Sequence, residues 1–221
     1  YNNYVMEIRK YIEATLLRPE KTWKEYKEFI EKSIEIGVFG VCVPPTRVIQ
    51  AKEILKNTNL KLISVCDFPF GYGNSDIKKR ETEKLIEKGC DEVDMVMNIQ
   101  KFKDGNYEDV RKEIEEVVKV ASGKPIKVII ECGLLTPEEI SLATKIVCES
   151  GANFVKTSTG FLSRGVKLSD IRIIKKSLKN DVRIKASGGI RTYGFAKILI
   201  EMGVERIGTS DPFNIIKEGK E

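Results

Sequence analysis

Eight short apolar runs, each followed by an amphipathic helical stretch, constrain this chain more than any other feature. The runs are read as strands at Tyr11–Leu17, Val38–Val43, Leu60–Cys66, Asp91–Met97, Pro125–Glu131, around Phe154-Val155, at Val182–Lys185 and at Arg206–Gly208. Most are continuously apolar, the pattern of parallel strands covered by helices on their outer side. Helices are expected from Thr22 to Gly37, 46–56, Ser75 to Lys88, 107–120, Thr136 to Gly151, 169–178 and Thr192 to Gly203. Thr136-Pro137-Glu-Glu139 is a helix start, with a capping hydroxyl, proline in the first turn and acids against the dipole. No linker or low-complexity segment divides the units, which are roughly 25 residues long, and the expected fold is an α/β (β/α)8 TIM barrel. An open doubly wound sheet is the alternative, but no Gly-x-Gly-x-x-Gly opens the first helix. The barrel is expected as a single domain over 1–221, with a helical lead-in over about 1–10 and a terminal helix over about 211–218.

Parallel strands of a barrel deliver their C-terminal ends to one mouth. Two of those ends carry lysine. Lys156 follows Phe154-Val155 and runs into Thr157-Ser-Thr-Gly160; Lys185 ends its apolar strand and runs into Ser187-Gly188-Gly189. A buried lysine is costly unless its charge is paired or its proton is lost. One reading has both side chains extending out to water. The other is amine chemistry, in which each cation disfavours protonation of its neighbour. A free lysine titrates near 10.4, and bringing it to about 7 takes roughly 4–5 kcal/mol. The resulting amine attacks a carbonyl to form a Schiff base, with no metal or organic cofactor. Asp94, inside Glu92-Val-Asp-Met-Val96, is read as a paired charge and proton relay near the two lysines, or as a structural ion pair with Lys185. Glu131 is placed at the mouth without a defined role, and Asp91 and Glu92 are read as surface or helix-end charges.

Composition narrows the chemistry. The chain of 221 residues has no histidine, which removes the Ser-His-Asp triad, the Cys-His pair and any His-ligated metal. The net charge of +5 is spread along the chain without a basic block, so nucleic acid is not an expected partner. The five cysteines Cys42, Cys66, Cys90, Cys132 and Cys148 form no C-x-x-C pair and are expected as reduced, buried thiols in the cytoplasm. No apolar run has the length of a membrane span, and no signal-peptide pattern is seen.

Barrels of this kind often hold phosphate on the loops after strands seven and eight. Those loops carry Gly188, Gly189 and Arg191, then Gly208 and Ser210; with Thr15 and Gly160 they are the expected substrate and phosphate contacts. Asp211, before Pro212, is expected to cap the terminal helix, occupy its donors and repel a phosphate, with Arg164, Lys167 and Arg191 available to compensate.

The chain resembles the deoxyribose-phosphate aldolase family. The resemblance is carried by Thr15-Leu-Leu17 with Pro19, Val41-Cys-Val43, Phe68-Pro69 with Gly71, Asp91-Glu-Val-Asp-Met95 and Val128-Ile-Ile-Glu131 with Gly133-Leu134. It continues through Phe154-Val-Lys-Thr-Ser-Thr-Gly160, Lys185-Ala-Ser-Gly-Gly-Ile-Arg-Thr192 and Arg206-Ile-Gly-Thr-Ser210. It implies a class I aldolase that reversibly cleaves 2-deoxyribose 5-phosphate to acetaldehyde and glyceraldehyde 3-phosphate. Lys156 would form the Schiff base, Lys185 would perturb its pKa and Asp94 would join a water-mediated proton relay. It also implies a homodimer or homotetramer. The chain departs from the family pattern at Glu13-Ala14 (usually Asp-His), Pro44-Pro45 (usually Asn-Pro), Asp67 (usually Gly), Phe161–Arg164 (usually small and glycine-rich) and Asp211-Pro212 (usually a second small residue first). Two other readings stand beside it: a Schiff-base enzyme of the same barrel acting on another or unphosphorylated carbonyl compound, and a barrel that binds without turnover.

Overall fold

Every strand of the chain pairs with two others, so the sheet has no edge. In the computed structural model, which describes residues 7–220, β1 (Ile12–Thr15), β2 (Gly40–Cys42), β3 (Lys61–Cys66), β4 (Glu92–Val96), β5 (Ile126–Ile129), β6 (Phe154–Lys156), β7 (Arg183–Ser187) and β8 (Arg206–Thr209) form a closed parallel barrel in sequence order. The closing pair aligns Ile12 with Ile207 and Ala14 with Thr209. This is the (β/α)8 barrel, and closure excludes the open sheet. Residues 1–6 of the expected lead-in lie outside the described residues; a 3-10 turn at Arg9–Tyr11 enters β1.

The barrel is wrapped by α1 (Trp23–Ile36), α2 (Val48–Leu55), α3 (Ser75–Glu87), α4 (Ile99–Lys103), α5 (Tyr107–Val120), α6 (Pro137–Glu149), α7 (Leu168–Ser177), α8 (Tyr193–Glu201) and α9 (Pro212–Glu218). α1 and α6 begin with complete capping boxes, Thr22 with Glu25 and Thr136 with Glu139. β1 to β5 are shorter than their apolar runs, whereas β6, β7 and β8 continue one or two residues past theirs toward the mouth. Lys185 does not end its strand: it is the third of the five residues of β7. Ser75 is not a cap either. Asn74 holds that position, and the Ser75 hydroxyl donates to Glu113 Oε2 at 2.7 Å. The short α4, not expected from the sequence, is capped by Asn98, whose side chain accepts from the Lys101 N–H at 3.0 Å.

That Ser75–Glu113 contact belongs to a buried ion pair outside the barrel. Lys78 of α3 donates to Glu113 of α5 at 2.7 Å and to the Val96 carbonyl at 2.8 Å, and stands 3.4 Å from Asp67. It therefore ties two helices to the end of β4 and to the loop after β3. That loop needs tying, because Asp67 has a left-handed backbone, φ 51°, which costs a residue with a side chain more than glycine. Removing one partner of a buried pair leaves the other uncompensated. Lys78→Met is expected to lower unfolding stability by about 3–5 kcal/mol in urea titration. Lys78→Met with Glu113→Leu is expected to recover most of that loss; a double variant as unstable as the single would show that the pair is not the cause.

Candidate active site

The inner face of the barrel is divided. On the β2–β3 side Cys42, Ile63 and Val65 form a small apolar cluster. Across from it stand Glu13, Glu92, Asp94, Lys127, Lys156, Lys185 and Arg206, all buried. Glu13 has room because both of its register partners, Gly40 on β2 and Gly208 on β8, lack side chains. A Cβ on Gly208 would lie 3.0 Å from Lys185 Cε, so this glycine also clears the lysine stem.

Lys156 and Lys185 are register partners on β6 and β7. Both donate to the same oxygen, Asp94 Oδ2, at 2.9 and 2.7 Å. Lys185 also donates to Glu13 Oε1 at 2.7 Å, and Lys127 reaches Asp94 Oδ1 at 2.9 Å. Burial by itself opposes the charge on Lys185, but Asp94 and Glu13 outweigh it and hold the ammonium well above its ordinary pKa. For Lys156 the balance tips the other way. Burial is the larger effect, Lys185 adds to it, and the opposing pull of Asp94 does not compensate, so the Lys156 pKa is lowered. Burial alone would raise the Asp94 carboxyl, yet Lys127, Lys156 and Lys185 hold it well below the usual range. Glu13 is likewise held at about 2, with Lys127 and Lys185 overcoming the effect of burial.

Lys156 is 3% exposed and forms the floor of an open cavity of about 220 Å³. Thr15, Gly160, Gly188, Gly189, Arg191, Gly208 and Ser210 all line that cavity. Lys185 and Asp94 lie beneath it. The hydroxyls between the lysines and the glycine turns hold the two strands in register. Thr157 Oγ1 donates to the Ser187 carbonyl at 3.2 Å and accepts the Ser187 N–H at 3.0 Å, while Ser187 Oγ donates to the Ser158 carbonyl at 2.6 Å. The loops after β6 and β7 then meet backbone to backbone, where a Cβ on Gly165 would lie 2.1 Å from the Gly188 carbonyl. Glu131 takes up a left-handed backbone, φ 55°, and accepts from the hydroxyls of Thr159 and Ser163; it braces the β6 loop and makes no bond to Lys156. Phe161 closes one side of the mouth, edge-on to Phe68 at 5.5 Å.

Four expectations need correction. Glu92 is not a surface charge: it is buried in the barrel, 2.6 Å from Lys127 and 2.8 Å from Arg206. Asp91 is no free helix-end charge, since its carboxylate accepts the Leu62 N–H at 2.9 Å. Asp211 occupies the N-cap position of α9, but its carboxylate accepts no helix N–H and lies 3.9 Å from Arg191 Nε. Arg164 is not available for phosphate, being held by Asp170 at 2.7 and 2.9 Å. Sequence reasoning missed Lys127 and Arg206, and it met Glu13 only as a departure from a family pattern. A lysine alternating with apolar residues in Ile126-Lys-Val-Ile129 was the available signal, of the same kind that singled out Asp94.

Comparison with known proteins agrees with this geometry. The DeoC/LacD family aldolase model matches residues 15–207. A deoxyribose-phosphate aldolase of Mycoplasmopsis pulmonis is 47% identical over 205 residues, covering 93% of each chain. One of Thermococcus gammatolerans is 45% identical over 216 residues, covering 96% of each. Among solved structures, one described as an aldolase superposes with a TM-score of 0.93 at 40% identity, covering 97% of this chain and 96% of the other. Another, described as a tetrameric deoxyribose phosphate aldolase from Aeropyrum pernix, gives 0.89 at 27% identity, covering 98% and 92%. A closed barrel with a buried lysine pair beneath its mouth, matched across nearly its whole length, belongs to the DeoC/LacD family of aldolases.

Proposed function

We propose that the chain reversibly cleaves 2-deoxy-D-ribose 5-phosphate to acetaldehyde and glyceraldehyde 3-phosphate, with Lys156 as the Schiff-base lysine. The observation that carries the assignment is the shared Asp94 oxygen: it places one lysine permanently charged below and one with a lowered pKa at the cavity floor. The free Lys156 amine attacks C1 of the open-chain sugar, and the carbinolamine loses water to an iminium. Loss of the C3 hydroxyl proton then breaks C2–C3, sending the electron pair into the enamine and releasing the three-carbon aldehyde. Protonation at C2 and hydrolysis release acetaldehyde and restore the amine. Asp94, acting through water, is the proposed proton relay. Thr15, Gly160, Gly188, Gly189, Gly208 and Ser210 are the proposed substrate and phosphate contacts, with Arg191 at the rim.

We place the enzyme in deoxyribonucleotide catabolism, in the cytoplasm, as a homo-oligomer. The tetrameric relative supports the last point. Five free, buried cysteines support a reducing compartment, and no helix among the described residues is long and apolar enough to cross a membrane.

A weaker preference for the phosphorylated sugar is favoured by one observation. Both arginines at the mouth carry an acid partner, Arg18 with Glu20 at 2.8 Å and Arg191 with Asp211 at 3.9 Å. The second pair is mostly solvent-exposed and worth at most about 1 kcal/mol, so the effect is modest.

Acetaldehyde with borohydride is expected to add one reduced two-carbon adduct at Lys156, located by peptide mass mapping; labelling mainly at Lys185 would reverse the two roles. Lys185→Leu is expected to keep the fold and lower activity by roughly a hundredfold or more near neutral pH, because Lys156 then stays protonated beside Asp94. The sign of that loss is checkable: activity recovers in part as pH rises through the restored Lys156 pKa, and a profile like that of the wild type would remove Lys185 from the role. Asp211→Ser is expected to raise the ratio of kcat/KM for the phosphorylated over the free sugar by about two- to fivefold, by freeing Arg191. An unchanged ratio would show that Arg191 does not meet the phosphate.

A further inference from the structure

The charges sealed inside this barrel cancel. Glu13, Glu92 and Asp94 supply three negative charges; Lys127, Lys185 and Arg206 supply three positive ones. They form one connected set. Lys127 lies 2.6 Å from Glu92, 2.9 Å from Asp94 and 3.3 Å from Glu13. Lys185 bridges Glu13 and Asp94, each at 2.7 Å. Arg206 reaches Glu92 at 2.8 and 3.0 Å and Glu13 at 3.1 Å, with its guanidinium 3.5 Å above the centre of the Phe39 ring.

Lys156 is the seventh ionisable member and the one that opens to the cavity. With a neutral amine there, the set sums to zero; with an ammonium it carries one uncompensated buried charge, which is costly in a low-dielectric interior. The other groups around Lys156 do not change the count. The Cys42 thiol, from β2, is pushed up to about 11 by burial and stays neutral. β3 brings Ile63 and Val65 to this interior, while Lys61, on the same face at the start of the strand, is exposed. Glu131, after β5, is bound to Thr159 and Ser163, and Arg18 and Arg191 sit at the rim with their acid partners.

We propose that the protonation of Lys156 is governed by the charge sum of this whole buried set. Arg206 and Glu92, neither of which pairs with Lys156, are on this view positioning residues for the reaction. They act on it through Glu13, Lys127 and Asp94. The inference rests on Lys156 being the Schiff-base lysine proposed above, and goes beyond a local effect of one neighbouring cation. It makes a prediction that local perturbation does not. Arg206→Met leaves a sum of minus one and favours the ammonium. Glu92→Gln leaves plus one and favours the amine. The double variant restores zero.

The test reads the pH midpoint of acetaldehyde labelling at Lys156 by cyanoborohydride, which needs no sugar, alongside the pH profile of sugar cleavage. Relative to wild type, the midpoint is expected to rise by roughly one pH unit in Arg206→Met and to fall in Glu92→Gln. It should return to the wild-type value in the double variant, and Arg206→Lys should leave it in place. Midpoints that do not move, that move in the same direction in both single variants, or that lie furthest from wild type in the double variant would overturn the proposal. If Arg206→Met does not fold, Glu92→Gln and the double variant, which deletes both halves of one ion pair, give the same decision. Wild-type protein that never labels at Lys156 would remove the Schiff-base reading and this inference with it, whereas normal labelling with unmoved midpoints would remove this inference alone.

Discussion

One carboxylate oxygen, Asp94 Oδ2, accepts hydrogen bonds from two lysines, and the rest of the site depends on that arrangement. Two ammonium groups sharing a buried oxygen repel each other, so the set is more stable when one of them is neutral. Which one is neutral is decided by the other partners. Lys185 has a second carboxylate, Glu13, and is fully buried away from the cavity; Lys156 has only Asp94 and borders the cavity. The asymmetry holds Lys185 as a fixed cation and lowers the pKa of Lys156, from two identical side chains.

The barrel makes this arrangement possible at a tolerable energetic cost. Each buried charge would cost several kcal/mol if left unpaired, but eight strands converging on one axis bring acids from β1 and β4 against bases from β5, β7 and β8. Glycines at Gly40 and Gly208 provide the space on either side of Glu13. Phe154 closes the lower end of the interior, with Arg183 stacked at 4.3 Å and Arg206 at 5.1 Å from its ring centre. Above the lysines the hydroxyls of Thr157 and Ser187 bond across the two loops, and the Ser158 hydroxyl donates to Thr157 Oγ1. Gly160, Gly188, Gly189 and Gly208 line the cavity there, where backbone N–H groups suit an anionic substrate.

The family membership and the electrostatics agree on reaction type and leave the periphery to set substrate preference. Most departures lie there; Glu13 is the exception, since it bonds Lys185 beneath the cavity at 2.7 Å. The loop Phe161–Arg164 places an aromatic ring at the mouth and commits Arg164 to Asp170. Asp211 turns from its helix to Arg191. Asp67, where the family usually has glycine, keeps the left-handed backbone a glycine would adopt, and its carboxylate accepts the Gly73 N–H at 2.8 Å. These changes alter what borders the cavity and leave the lysine floor intact.

The fold was legible in the sequence because alternating apolar runs and amphipathic helices, without linkers, admit few arrangements. Lys156, Lys185 and Asp94 stood out for a related reason: an ionisable side chain in an apolar strand demands an explanation wherever it occurs. The capping boxes at Thr22 and Thr136 were equally local, since a capping box lies within four consecutive residues. What the sequence could not reveal was which charge faces which. Glu92 and Asp91 are neighbours in the chain, yet one points into the barrel and the other holds a backbone amide of β3, because successive strand residues face opposite sides. The partnership of Glu13 with Lys185 spans about three quarters of the chain, and that of Arg206 with Glu92 about half of it. Asp211 has the sequence of a cap but not the contact: its ψ of 45° departs from the extended backbone of a capping residue, and its carboxylate lies 3.9 Å from Arg191. Local periodicity specifies the strands and their order of appearance; only closure of the barrel, which sets register and radius, decides which charged side chains share a few ångströms of interior and so which lysine has its pKa lowered.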